Sequence, residues 1–171
     1  MRALSLAGLL ALAAAAPAAA ALAQGCEPLA LGHSYCPADG GWADATVEAV
    51  PDGLRAAEGE VELVFQVLPR DGGIGAEALR SELNGLAEAL LGAEPAGFVP
   101  LLEDRPAVAG ATAVRFAFRT GASGGETVVA LTFAAREEAT LILQTSAPGT
   151  YLDEAHALLH ADALAAVQGP R

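Results

Sequence analysis

The sequence predicts an α+β domain, an antiparallel β-sheet flanked by helices in the order β-β-α-β-β-β-β-α. Three observations carry it. Large apolar residues recur at every second position at Val61–Leu68, Ala113–Arg119 and Val128–Phe133, the pattern of strands with one face in a core. Two other stretches space apolar residues three and four apart, Leu79-Leu83-Leu86-Leu90 and Leu152-Ala155-Leu159-Ala163-Ala166, the stripe of one helix face. Short glycine-rich or charged turns join the strands, so neighbours should be antiparallel and each helix must cover sheet to bury its stripe.

The chain opens Met1-Arg2, then runs from Ala3 to Ala23 without a charge and closes Ala21-Leu22-Ala23. A short positive start, an apolar stretch and small residues at a cleavage site make residues 1–23 a secretory signal peptide, with Gln24 as the new N-terminus. The uncharged run could span a membrane, since about 20 residues suffice. Pro17, the Ala-rich second half and the lack of an Arg cluster after it argue for cleavage instead, leaving no integral membrane span. Lipid attachment at Cys26 is a minor alternative, because Gln24 suits such a site poorly. The expected location is the periplasm.

Composition narrows the partners. The net charge is −12 and all nine basic residues are Arg. Loss of Arg2 adds one more negative unit. Such a surface repels nucleic acid and anionic lipid. The two cysteines, Cys26 and Cys36, are most simply a disulfide in an oxidising compartment. A bridge across so short a loop contributes about 2–3 kcal/mol on the chain-entropy estimate. It fastens residues 24–42 into an N-terminal arm ahead of a single domain at 43–171.

In order, Val47 and Val50 suggest a short strand ending at Pro51, with Asp52-Gly53 as turn material. The Val61–Leu68 strand follows, then a turn at Asp71-Gly72-Gly73. The first helix carries Leu79 to Leu90 with Gly92 as its C-terminal stop. Gly85 inside it costs about 1 kcal/mol relative to Ala. Phe98–Leu102 is the next strand, and the Val114/Phe116/Phe118 strand precedes a loop at Gly121–Gly125. Val129, Leu131 and Phe133 mark the following strand. Arg136-Glu137-Glu138 turns the chain into the Leu141–Thr145 strand. The last helix should run from about Tyr151 to Val167, with Thr150 as N-cap and Asp153 completing a capping box.

This order resembles the DcrB-like proteins of the PsbP/Mog1 fold group, over roughly residues 47–167. The shared features are Gly97-Phe98 entering a middle strand, the run Gly-Ala-Thr-Ala-Val-Arg-Phe-Ala-Phe from Gly110 to Phe118, and Gln-Thr-Ser-Ala-Pro from Gln144 to Pro148 before the last helix. Trp42 precedes the first strand, where the group's tryptophan follows a proline, and the Cys26–Cys36 arm has no counterpart. The resemblance implies a curved antiparallel sheet with flanking helices and a binding, assembly or accessory role. It carries no shared catalytic set, and function by fold is analogy.

Several residues invite chemistry. Gly121-Ala122-Ser123-Gly124-Gly125 satisfies G-x-S-x-G, but a nucleophile elbow joins a strand to a helix and this run joins two strands. His156 and His160 lie one helical turn apart and could share zinc or copper, with His33 as a distant third ligand. The helix wheel sets His156 beside the buried stripe and His160 at its edge, which favours packing over metal. Arg115 and Arg119 share one strand face and could cradle a carboxylate, or pair with surface acids. Glu58, Glu60 and Glu62 read as a solvated edge. The leading expectation is a non-enzymatic periplasmic binding or accessory protein with an envelope protein or peptide as partner, without cofactor or metal. Its rivals are a metal-binding accessory protein using His156 and His160, and a hydrolase using Ser123. Intact mass of the protein recovered from the periplasm should correspond to a chain beginning at Gln24; a mass retaining residues 1–23, or a lipid on Cys26, would refute cleavage at Ala23.

Overall fold

A computed structural model describes residues 25–37, 40–51, 53–91, 100–122 and 125–170. Residues 1–24, with the expected signal peptide, and Ser123, Gly97-Phe98 and Gly92 lie outside the described residues. The chain is α+β. It has a seven-stranded antiparallel sheet of β3 (Thr46–Val50), β4 (Gly53–Glu58), β5 (Val61–Pro69), β6 (Leu102–Asp104), β7 (Thr112–Ala122), β8 (Gly125–Ala135) and β9 (Ala139–Pro148). Its spatial order is β3-β4-β5-β9-β8-β7-β6. Helix α1 (Ala76–Leu91) connects β5 to the far edge, and α2 (Glu154–Ala165) follows β9. A second, three-stranded sheet joins β1 (Glu27–Pro28) and β2 (Ser34–Tyr35) to β10 (Val167–Gln168).

Both faces of the large sheet are covered. Leu79, Leu83 and Ala87 of α1 are buried with Val114, Phe116, Phe118, Val129, Leu131 and Phe133 on one face. Fully burying one Leu or Phe contributes about 1.5–3 kcal/mol, so this contact outweighs the cost of Gly85. On the other face Leu54, Leu63, Phe65 and Leu143 pack with Tyr35 and Trp42 of the arm and Ala163 of α2. Strand β8 therefore buries successive residues from Val128 to Ala135, not alternate ones.

Several sequence expectations need correction. The segment before β5 is a hairpin of two strands, β3 and β4. Leu54 and Ala56 alternate inward, but Gly and Ala mute the pattern. The expected strand at Phe98–Leu102 is an edge strand that begins where that one was to end. Pairing of β7 with β8 continues to Ala122↔Gly125, so the glycine run is mostly strand. Helix α2 starts at Glu154 with Asp153, not Thr150, as N-cap; the Asp153 carboxylate accepts the His156 N–H at 2.8 Å. Its buried face is His156, His160 and Ala163, while Ala155 is exposed.

The arm is bound into this core. Cys26 and Cys36 form a disulfide that closes the β1–β2 hairpin. The Cys36 N–H donates to the Ala166 carbonyl at 2.8 Å, and the Gly41 N–H to Asp162 Oδ2 at 2.9 Å. Trp42, fully buried, donates its indole N–H to the Leu159 carbonyl at 2.7 Å. Replacing Trp42 with Phe removes that donor and part of a fully buried ring, so urea unfolding should show a loss of about 1–3 kcal/mol. An unchanged midpoint would mean the arm contributes nothing to the core.

Candidate functional site

His156 and His160 come together, but inside the protein. They are 3 % and 0 % exposed. Thr145 Oγ1 lies 2.8 Å from both His160 Nδ1 and His156 Nε2, and Thr132 Oγ1 lies 2.8 Å from His160 Nε2. A neutral imidazole has one N–H and one lone pair, and a hydroxyl gives one proton while accepting others. The chain Thr132–His160–Thr145–His156 is thus satisfied with its protons running in either direction. Burial first, then the positive charge of Arg115 and the neighbouring His156, push His160 down to about 3. Burial also lowers His156, against smaller opposing effects from Asp153 and the Thr145 backbone. Both nitrogens of His160 are engaged by threonines. Among the described residues no group of three His, Cys, Asp or Glu is placed to hold a metal.

Arg115 projects from β7 on the same face as this chain, opposite Thr132 in register. It grips Asp104 of β6 with two hydrogen bonds, Nε to Oδ1 at 2.9 Å and Nη2 to Oδ2. Arg119 reaches Glu126 across the hairpin at 3.4 Å. Each arginine sits against an acid of its own sheet.

An opening lies elsewhere, where the arm, the β8–β9 turn and the C-terminal residues meet. The cleft has a volume of about 450 Å³ and is bounded by Leu31, His33, Arg136, Glu137, Glu138 and Pro170. The Arg136 guanidinium donates from Nη2 to the Ala109 carbonyl at 3.0 Å and from Nη1 to His33 Nε2 at 3.4 Å. A guanidinium cannot accept, so Nε2 holds the lone pair and Nδ1 the proton. That Nδ1 is buried with the Ala30 and Leu31 carbonyls as its neighbours, and the Arg136 Nε is buried with no partner among the described residues. Burial and then the Arg136 charge lower the His33 pKa, partly offset by the carbonyls of Ala30 and Leu31. Leu31 holds a left-handed backbone conformation, φ 55°, which costs a non-glycine residue about 1–3 kcal/mol. A cavity of similar volume beside α1 contains Arg70, but that arginine already donates to Thr140 and Glu82.

No protein-family model and no curated protein matches the chain. The fold itself has a solved counterpart. A crystal structure of a protein from Bacteroides thetaiotaomicron VPI-5482 is similar, with TM-score 0.52 and 12 % identity over 82 % of this chain and 46 % of that one. This chain thus spans less than half of that protein, and at this identity the likeness extends to fold alone. LpqN of Mycobacterium tuberculosis, a protein involved in cell envelope biogenesis, aligns with TM-score 0.39 and 18 % identity over 70 % of this chain and 66 % of that one.

By sequence His33 is only a distant third ligand for the helix histidines, and Arg136 only turn material. The two stand 103 residues apart in the chain, and no local pattern joins them. The core histidines have a measurable consequence. Below the unfolded value of 6.5 the unfolded chain binds protons that folded His160 refuses. Stability present above that pH is therefore lost as pH falls toward the folded value, by up to about 1.4 kcal/mol per pH unit. Urea midpoints from about pH 7.5 to pH 4 should fall less steeply for His160→Gln than for the parent; identical slopes would refute a neutral, buried His160.

Proposed function

We propose that this chain is an exported, non-enzymatic binding protein of the cell envelope, in the manner of DcrB-like proteins, that engages a protein or peptide partner at the His33–Arg136 cleft. The observation that carries this reading is a cleft lined by Arg136, whose guanidinium is held by the Ala109 carbonyl and His33, has no acidic partner among the described residues and keeps a buried, unpaired Nε. An unsatisfied buried donor costs about 1–3 kcal/mol, and it clusters here with a strained Leu31. Its volume falls within the range of small-ligand sites, enough for a terminal residue or two of a peptide. The Cys26–Cys36 disulfide supports an oxidising compartment, and a leader at residues 1–23 would deliver the chain to the periplasm. On this reading the arm and the domain form one binding unit, because the arm supplies His33 and Leu31.

In-cell photo-crosslinking tests the cleft directly. A photoreactive residue at Leu31, half-exposed on the rim, should capture a discrete envelope partner. The same residue at Glu60 should not, since the β4–β5 turn lies at the opposite end of β5 from the β8–β9 turn. Adducts from both positions alike, or from Glu60 alone, would move the binding surface away from the cleft.

A further inference from the structure

We infer that the cleft recognises a single carboxylate on an otherwise neutral or cationic ligand, with Arg136 as the carboxylate receptor and Glu137 and Glu138 facing the ligand's cationic part. The inference rests on the cleft being the binding site. Arg136 is held in position before any ligand arrives. Besides its bonds to Ala109 and His33, the guanidinium lies flush against Gly169, where an added Cβ would stand 2.2 Å from Nη1. A side chain at 169 would push the guanidinium aside. Nη1 and Nη2 each retain a second N–H beyond those given to His33 and Ala109, while Nε is buried and has no partner among the described residues. Two N–H groups on one guanidinium edge match the two oxygens of a carboxylate. A fixed planar fork loses little freedom on binding.

The rim decides the rest of the ligand. Glu137 and Glu138 are exposed, and neither forms an ion pair among the described residues. Their turn is rigid: the Glu137 and Glu138 carbonyls accept from the Gly72 and Arg70 N–H groups at 2.9 and 3.0 Å. A phosphate dianion would have to pass this pair in a chain of net charge −12, which disfavours it. One carboxylate joined to a cationic body meets an attractive partner at each end. Leu31 and Pro170 supply apolar walls between. The chemistry could come from a peptide's C-terminus or from an acidic side chain.

The test follows the Arg136 Nε–H resonance of the mature protein by NMR. The probes are N-acetyl-arginine, N-acetyl-argininamide, N-acetyl-aspartamide with only its side-chain carboxylate, and inorganic phosphate. N-acetyl-arginine should shift the resonance saturably, and the amide lacking a carboxylate should bind at least about tenfold more weakly, roughly 1.4 kcal/mol. Saturable binding of N-acetyl-aspartamide at least as tight as that of N-acetylglycine would support the carboxylate and assign its source to an acidic side chain. Arg136→Lys, which keeps the charge and loses the fork, should weaken N-acetyl-arginine by about tenfold, read from other cleft resonances. Glu137→Gln with Glu138→Gln should weaken it severalfold while leaving N-acetylglycine unchanged. Equal binding of acid and amide, tighter binding of phosphate, or indifference to Arg136→Lys would overturn the inference. A Leu31 crosslink that persists in Arg136→Lys, together with those results, would overturn the carboxylate alone and leave the cleft as the partner site.

Discussion

The position of α2 depends on a polar contact in the interior, the His160 imidazole held between Thr132 of β8 and Thr145 of β9. A ring with both nitrogens paired has one permitted depth and rotation against the sheet. Apolar packing tolerates sliding at little cost, whereas a displaced imidazole leaves buried polar atoms unpaired, at about 1–3 kcal/mol each. The helix is therefore pinned by two threonines from adjacent strands. Once it is pinned, its outward face carries Ala155, Leu158 and Ala161, the reverse of an ordinary amphipathic arrangement.

Much of the remaining architecture is referred to that helix. The Leu159 carbonyl receives Trp42, the Asp162 carboxylate receives Gly41, and the Ala166 carbonyl receives Cys36. The chain leaving α2 becomes β10, which pairs with β2 and so brings the two ends of the described chain together. Gly169 and Pro170 then arrive beside Arg136. The cleft is built from the arm, the β8–β9 turn and these last residues, so its geometry is inherited from the histidine contact in the core.

The two arginine environments show how one residue type takes different roles. Arg115 meets Asp104 directly opposite it in the ladder, a pairing set by strand register, and its bidentate bond leaves little for a ligand. Arg136 sits at a turn, where its nearest groups are a carbonyl, an imidazole and a glycine backbone. None of these carries a negative charge. An arginine with no counter-ion among the described residues is what separates the cleft from the other cavities.

Local patterning alone determined a good deal. The strands at Val61–Leu68, Ala113–Arg119 and Val128–Phe133, the inward Leu79 and Leu83 of α1 and the Cys26–Cys36 disulfide all act over a few residues, and each appears where the sequence put it. The hairpin partner β4 stayed hidden because Gly and Ala carry almost no hydropathy contrast. What only the tertiary structure decided was which side of α2 faces inward, because an imidazole reads as polar until a threonine is found to satisfy it. The same holds for Trp42, whose burial needs a helix more than a hundred residues away. It holds most of all for His33 and Arg136: no local energy links an arm residue to a distant turn, and only the closing of the chain's two ends by β2 and β10 brings them into one cleft.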